Sequence, residues 1–327
     1  MKQLSQRMWH GAFAAAGLMM AASQALAQAY PVKPIRMIVT GAAGGVNDIM
    51  TRIMSQNISN TIGQPLIVEN RPGAGGITAV LFTAKSPPDG YTLVMINVGS
   101  SSIAPWVNKD LPYDPLKDLV GVAAVAEVPS LVAIPDSLPV KTLKEFIDYG
   151  RANPGAINYG SAGIASVPHL AAELMSFLTG VKMVHVPYKG GAPAAVDLAA
   201  GRIQVAFLGV GTIQPHLAAG TVRTLAVAAP KRLVSLSNVP TFAEAGLTSY
   251  EVSNWFGVLA PAGTPRNIVT VLNNHIGQAF ETPSALEQLS RAGALPIKES
   301  ADQFQKRIVA DYHKWRDVTQ QAGIKPE

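Results

Sequence analysis

Residues 35–58 run IRMIVTGAAGGVNDIMTRIMSQNI, and the order of residue types predicts a strand, a loop and a helix. The strand covers 35–40, Gly41, Gly44 and Gly45 supply the loop, and Asn47 and Asp48 fall in the first helical turn. A strand feeding a helix through glycines leaves several backbone N–H groups without a helical partner. With the positive end of the helix dipole, they form a site for a carboxylate or another anion. Glycine suits the loop because a Cβ would block both the turn and a ligand's approach. The same residues would equally serve a tight connection that binds nothing.

Outward from this stretch the pattern repeats. Residues 65–70 predict a strand running into the loop Arg71, Pro72, Gly73, Ala74, Gly75, Gly76, and residues 77–84 the next helix. A third strand, 91–97, ends at Gly99 and Ser100 to Ser102, read as a loop. Strands alternating with helices imply βαβ units and a parallel sheet, with ligands near the carboxyl ends of the strands. The apolar run 120–134, broken at Pro129, predicts one or two strands leaving this first unit.

The pattern then restarts. Thr142 and Glu145 form a capping box for a helix to about 152, and a strand at 157–159 leads into residues 160–166 as a loop. A helix over 167–178 follows, then strands at 183–187, 204–209 and 224–228 and a helix after Gly191. Residues 255–260 predict a strand crossing back. Thr264 and Pro265 read as an N-cap with proline at the first helical position, and Ser300 with Gln303 caps a helix over 301–322. Two lobes result: 28–128 with 254–327, and 129–253, joined by crossing segments near Val128 and Asn254.

The 327 residues suffice for two lobes. Lys2 and Arg7, the apolar run 11–22 and Ala25-Leu26-Ala27 predict a secretory signal peptide over 1–27, cleaved after Ala27. The net charge is +5, or about +3 once Lys2 and Arg7 are removed. Basic residues are scattered and aromatics make up 6%, which argues against nucleic-acid binding. Without cysteine there is no thiolate metal site, disulfide or cysteine nucleophile. No cofactor or metal is expected, since six histidines lie without metal-ligand spacing.

Several strings carry a resemblance: AGG at 43–45 with Asp48, VENRPGAGG at 68–76, PDGYTL at 88–93, NYGS at 158–161, HVPYKG at 185–190 and APAGTP at 260–265. In colinear order over residues 30–324, they make the chain similar to the solute-binding receptors of tripartite tricarboxylate transporters, called Bug receptors. The resemblance implies an α/β, two-lobed periplasmic binding protein of the type II, Venus flytrap kind with two crossing hinge segments. It implies a monomer in the periplasm that closes over a di- or tricarboxylate or an aromatic acid. It places ligand contacts at Thr40, Gly41, Ala42, Ala43, Gly44, Gly45 and Asp48, and at Ser161, Gly163, Ile164, Ala165, Ser166 and His169. The chain departs from the family at Thr40-Gly41, where Pro-Phe or Pro-Tyr is usual, and at Leu208, where an aspartate is common. A roomier, more apolar pocket that disfavours amino acids is the expectation.

Each side chain has an alternative use. Asp48 either accepts the N–H groups of the first loop or simply complements the helix dipole. Ser161 and Ser166 either hold a carboxylate or cap the helix near Val167. His169, early in that helix, is expected neutral, packing or donating one hydrogen bond. Arg71 either pairs with a ligand or with Glu69. Ser100 either faces the crevice or closes a turn, and His185, Trp255 and Phe256 read as structural. Signatures of hydrolases, P-loops and HExxH enzymes are missing. Delivery of a carboxylate to membrane transporter subunits is therefore the leading expectation. A receptor for a periplasmic sensor kinase is the alternative, and a secreted hydrolase the third class.

Overall fold

The computed structural model describes residues 30–326 other than Ala165. The expected signal peptide over 1–27 and its cleavage point lie outside the described residues. The opening stretch folds as β1 (Ile35–Val39), a glycine loop and α1 (Val46–Ile62). Met50, Ile53, Met54 and Ile58 recur at helical spacing and are all buried, so α1 packs one apolar stripe against the sheet. β2 (Leu66–Asn70), α2 (Ile77–Ala84) and β3 (Thr92–Asn97) follow, and β1 lies between β2 and β3, parallel to both.

After a short α3 (Ala104–Val107), β4 (Leu119–Pro135) runs as one continuous strand of 17 residues. The sequence left a break at Pro129 open; there is none. Pro129 sits where β4 changes partners: up to Pro129 it pairs with a later strand, and from Ser130 with two others. A residue without an N–H is tolerated where a ladder ends. α4 (Leu143–Ala152), β5 (Ile157–Ser161), α5 (Val167–Thr179), β6 (Met183–Pro187), α6 (Gly191–Ala199), β7 (Val205–Gly209), α7 (Val210–Ala218) and β8 (Val222–Val227) make the second unit. There β5 pairs parallel with β6 and β7, while β4 lies antiparallel between β7 and β8.

The chain returns through β9 (Ser253–Pro261), antiparallel to β3 on one side and to β4 on the other, with Val128 opposite Asn254. α8 (Arg266–Phe280), α9 (Pro283–Arg291), the two-residue β10 (Leu295–Pro296) and α10 (Ala301–Gln321) complete the fold. Two βαβ units on a curled, mixed sheet, linked by long antiparallel strands, make a two-lobed α/β molecule. Trp255 and Phe256 are core, as expected. The Trp255 Nε1–H donates to Asp311 Oδ2 at 2.6 Å, tying β9 to α10.

Local differences from expectation have local causes. Gly160 and Ser161 belong to β5 rather than to the loop, because Gly160 pairs with both Val186 and Ala206. α7 and α9 were not anticipated; Pro215 inside α7 disguises its period. Pro265 is the cap rather than the first helical residue of α8, with ψ 138° holding it extended. The capping box of Ser300 and Gln303 is present. Among the described residues no helix is long and apolar enough to cross a membrane.

Candidate functional site

The first loop is organised by Asp48. Its carboxylate, 2% exposed, accepts from the Gly44 N–H at 2.9 Å, the Arg52 Nε at 2.8 Å and the Asn70 Nδ2 at 3.0 Å. Asn70 also donates to the Gly41 carbonyl at 3.1 Å, so β2 pins the loop from the side. Burial opposes ionisation of Asp48, but the donors from Arg52, Gly44 and Asn70 outweigh it and hold the carboxyl below its usual range. The sequence expected free N–H groups here. Instead Gly44 gives its N–H to Asp48, and Gly45 gives its own to the Ala42 carbonyl at 3.1 Å. Arg71 pairs with Glu69 at 3.5 Å and lies over the Phe82 ring.

Beyond this loop the carboxyl ends of β1, β2 and β3 converge. Thr40 is buried, and its hydroxyl donates to the Met95 carbonyl at 3.1 Å. Gly76 lies against it: a Cβ at Gly76 would sit 2.8 Å from Thr40 Cβ and 3.6 Å from Ser100 Cβ. Gly99–Ile103 forms a wide helical turn with the Ala104 N–H bonded five residues back to Gly99, not the open loop expected. Such turns recur at functional sites. Together these residues back one wall of a cavity of about 540 Å³.

The opposite wall is the start of α5. Ser166, Val167 and Pro168 line the cavity, as do Ile164 and, from the first unit, Ser100. Ser166 is the helix N-cap: its Oγ accepts from the His169 N–H at 3.4 Å and donates to the Gly163 carbonyl at 2.7 Å. The positive end of a 13-residue helix therefore faces the cavity.

Of the expected site residues, the fold brings Ser100, Ile164 and Ser166 into the lining wall of one cavity from its two sides, with Thr40 directly behind Gly76. Gly41, Ala42, Ala43, Gly44 and Gly45 form a solvent-facing loop outside that wall. Ala165 lies outside the described residues. Ser161 is fully buried in β5, its hydroxyl 2.6 Å from His185 Nε2 and bonded to Gly163. Leu208 is 2% exposed and packs in the core beneath Gly191, because the β7 register turns it inward. Gly44 and Ser161 thus share no cleft; the two halves meet through Ser100 and Ser166.

His169 is 6% exposed and stacks on His185 with ring centroids 4.0 Å apart; Tyr159 lies near-parallel to both rings, 4.8 Å from His185 and 6.2 Å from His169. The Tyr159 hydroxyl donates to Glu173, whose Oε1 is also 3.9 Å from His169 Nε2. Burial, then the neighbouring His185, pushes the His169 pKa down to about 4, and burial lowers that of His185. The imidazole of His169 is neutral in the folded chain, while an unfolded chain protonates it near 6.5. Between those values the unfolded state binds more protons, so stability falls as pH drops from about 6.5 to about 4, by up to about 3 kcal/mol. Urea unfolding of the wild type and of His169→Phe, at about pH 7.5 and about pH 5, should show a shallower pH dependence in the variant. Equal slopes would remove His169 from the account.

The wall residues that sequence reasoning missed include four with amide or charged side chains: Asn97, Asn108, Asn254 and Lys325. Asn97 ends β3, and its Oδ1 accepts from the Ser100 N–H at 3.2 Å, a position at a strand's carboxyl end that could have flagged it. Asn254 lies on the returning strand, and its Oδ1 is buried without a hydrogen-bond partner. Among the described residues no cluster of three or more His, Asp or Glu could hold a metal.

With this geometry in view, the model of the tripartite tricarboxylate transporter family receptor matches residues 50–324. The chain belongs to that family. BugT of Bordetella pertussis is 35% identical over 304 residues, covering 91% of this chain and 92% of BugT. Among solved structures, R. palustris Rpa4515 with adipate is 36% identical, with a TM-score of 0.76, covering 91% of this chain and all of its own. MatC from Rhodopseudomonas palustris with bound malate is 32% identical, with a TM-score of 0.72, covering 88% of this chain and 99% of its own. The tripartite tricarboxylate receptors are periplasmic solute-binding proteins, and this receptor shares their two-lobed fold.

Proposed function

We propose that this receptor captures a small carboxylated organic acid in the cavity between its lobes. Lobe closure then presents the loaded form to the membrane subunits of a tripartite tricarboxylate-type transporter. The observation that carries the reading is one cavity walled by Ser100 from the first unit and by the Ser166 end of α5 from the second. A helix N-terminus with a serine cap favours an oxyanion. Family membership and the adipate and malate bound by two relatives support the ligand class.

In this reading the lobes comprise 28–128 with 254–327, and 129–253, and they flex about the paired β4 and β9 segments. The change of β4 partners at Pro129 and the pairing of Val128 with Asn254 support that division. The exported receptor begins at Gln28, after cleavage of residues 1–27. The first loop, Thr40 to Gly45 with Asp48, completes the site when the lobes close. The apolar wall, including Ile77, Ile103, Ile164 and Val167, disfavours an ammonium group, so aspartate and glutamate bind more weakly than simple diacids.

A thermal-shift screen of organic acids tests this. Free ligand at a hundred times its Kd adds about 2.7 kcal/mol and raises the midpoint without turnover. A panel in which no carboxylate moves the midpoint would sink the proposal. Consumption of a hit compound would instead mark an enzyme.

A further inference from the structure

We propose that Lys325 makes this receptor select acids that carry a second negative charge. The inference rests on the carboxylate reading of the cavity. Among the described residues that line the cavity, Lys325 is the only one with an ionisable side chain. The other polar groups there are neutral: the amides of Asn97, Asn108 and Asn254 and the hydroxyls of Ser100 and Ser166. Among the described residues no carboxylate shares the wall, and none of the described ion pairs uses Lys325.

Its position is built. α10 is anchored by Trp315, Val318 and Thr319, all buried. Gly323, at φ +66°, reverses the chain after the helix. The Gly323 N–H bonds the Gln320 carbonyl at 3.2 Å, and the Ile324 N–H bonds Thr319 at 3.0 Å, closing a Schellman-type turn. Ile324 packs against the core and lines the cavity, and Lys325 follows it at the rim. The turn therefore fixes the Lys325 backbone at the cavity rim, from which its exposed side chain joins the lining. The helix N-terminus at Ser166 supplies a second positive pole in the same cavity. Two such poles with an apolar wall between them fit a ligand anionic at both ends.

The probes are unbranched diacids from succinate to sebacate and the matching monoacids from butyrate to decanoate, measured by calorimetry on the wild type, Lys325→Gln and Lys325→Arg. Lys325→Gln should weaken the tightest diacid about five- to tenfold and change monoacids less than about twofold, with Lys325→Arg close to wild type. Added salt should narrow the diacid preference of the wild type and leave that of Lys325→Gln unchanged. A diacid preference that survives Lys325→Gln overturns this inference and leaves the carboxylate reading standing. A wild type that binds none of these acids overturns the carboxylate reading itself, and this inference with it. Lys325 is exposed, so the variants fold, which urea unfolding verifies.

Discussion

Asp48→Ala is expected to lower folding stability by about 3 kcal/mol, and Asp48→Asn by roughly half of that. The carboxylate is buried and serves three donors on three segments: Gly44 in the loop, Arg52 one helical turn on, and Asn70 at the end of β2. Hydrogen bonds to a charged group contribute about 1.5–3 kcal/mol each, but exposed Arg52 and Gly44 regain water once released, which keeps the total near the value of a single full loss. Asparagine retains one accepting oxygen and turns an NH2 toward a donor, so it recovers part of the network. Urea unfolding reads the stability, and amide exchange at Gly44 reads the loop. A change in Asp48→Ala within about 0.5 kcal/mol, the range of an ordinary surface substitution, would mean that the loop holds its shape without this carboxylate.

Gly76→Ala should lose about 3 kcal/mol and weaken ligand binding at least about tenfold. Two effects add. Gly76 sits at φ +98°, where an L side chain is strained by about 1–3 kcal/mol. Its new Cβ would also stand 2.8 Å from Thr40 Cβ, and overpacking of that kind costs about 1–3 kcal/mol. Relief requires Thr40 or Ser100 to move, and Ser100 is cavity wall. Gly63→Ala is the control. At φ +77° with nothing within 4 Å of the added Cβ, it bears strain alone, about 1 kcal/mol, far from the cavity. Equal losses in both variants, with binding intact in Gly76→Ala, would show that contact with Thr40 does not shape the site.

Most of the fold is legible in the chain because its signals are local. The strand, glycine loop and helix of residues 35–62, the α2 bounds, the Ser300–Gln303 box and the crossing of Val128 with Asn254 all follow from short patterns. Apolar period, glycine position and capping chemistry act within a few residues, so they survive any later choice of packing. The site is a different matter. Ser100 and Ser166 were picked from their loops, but Gly44 and Gly45 hold their N–H groups within the loop, and Ser161 and Leu208 turn into the core. Strand register decides which face a residue takes, and a slip of one residue reverses it.

Family strings and an amphipathic pattern were sufficient to establish a two-lobed α/β receptor. Only the packed molecule decided what faces the cavity, because its wall joins residues as far apart as Gly75, Ser166, Asn254 and Lys325. No local pattern encodes such a meeting. It arises when β9 returns between β3 and β4 and the turn after α10 folds Ile324 onto the core.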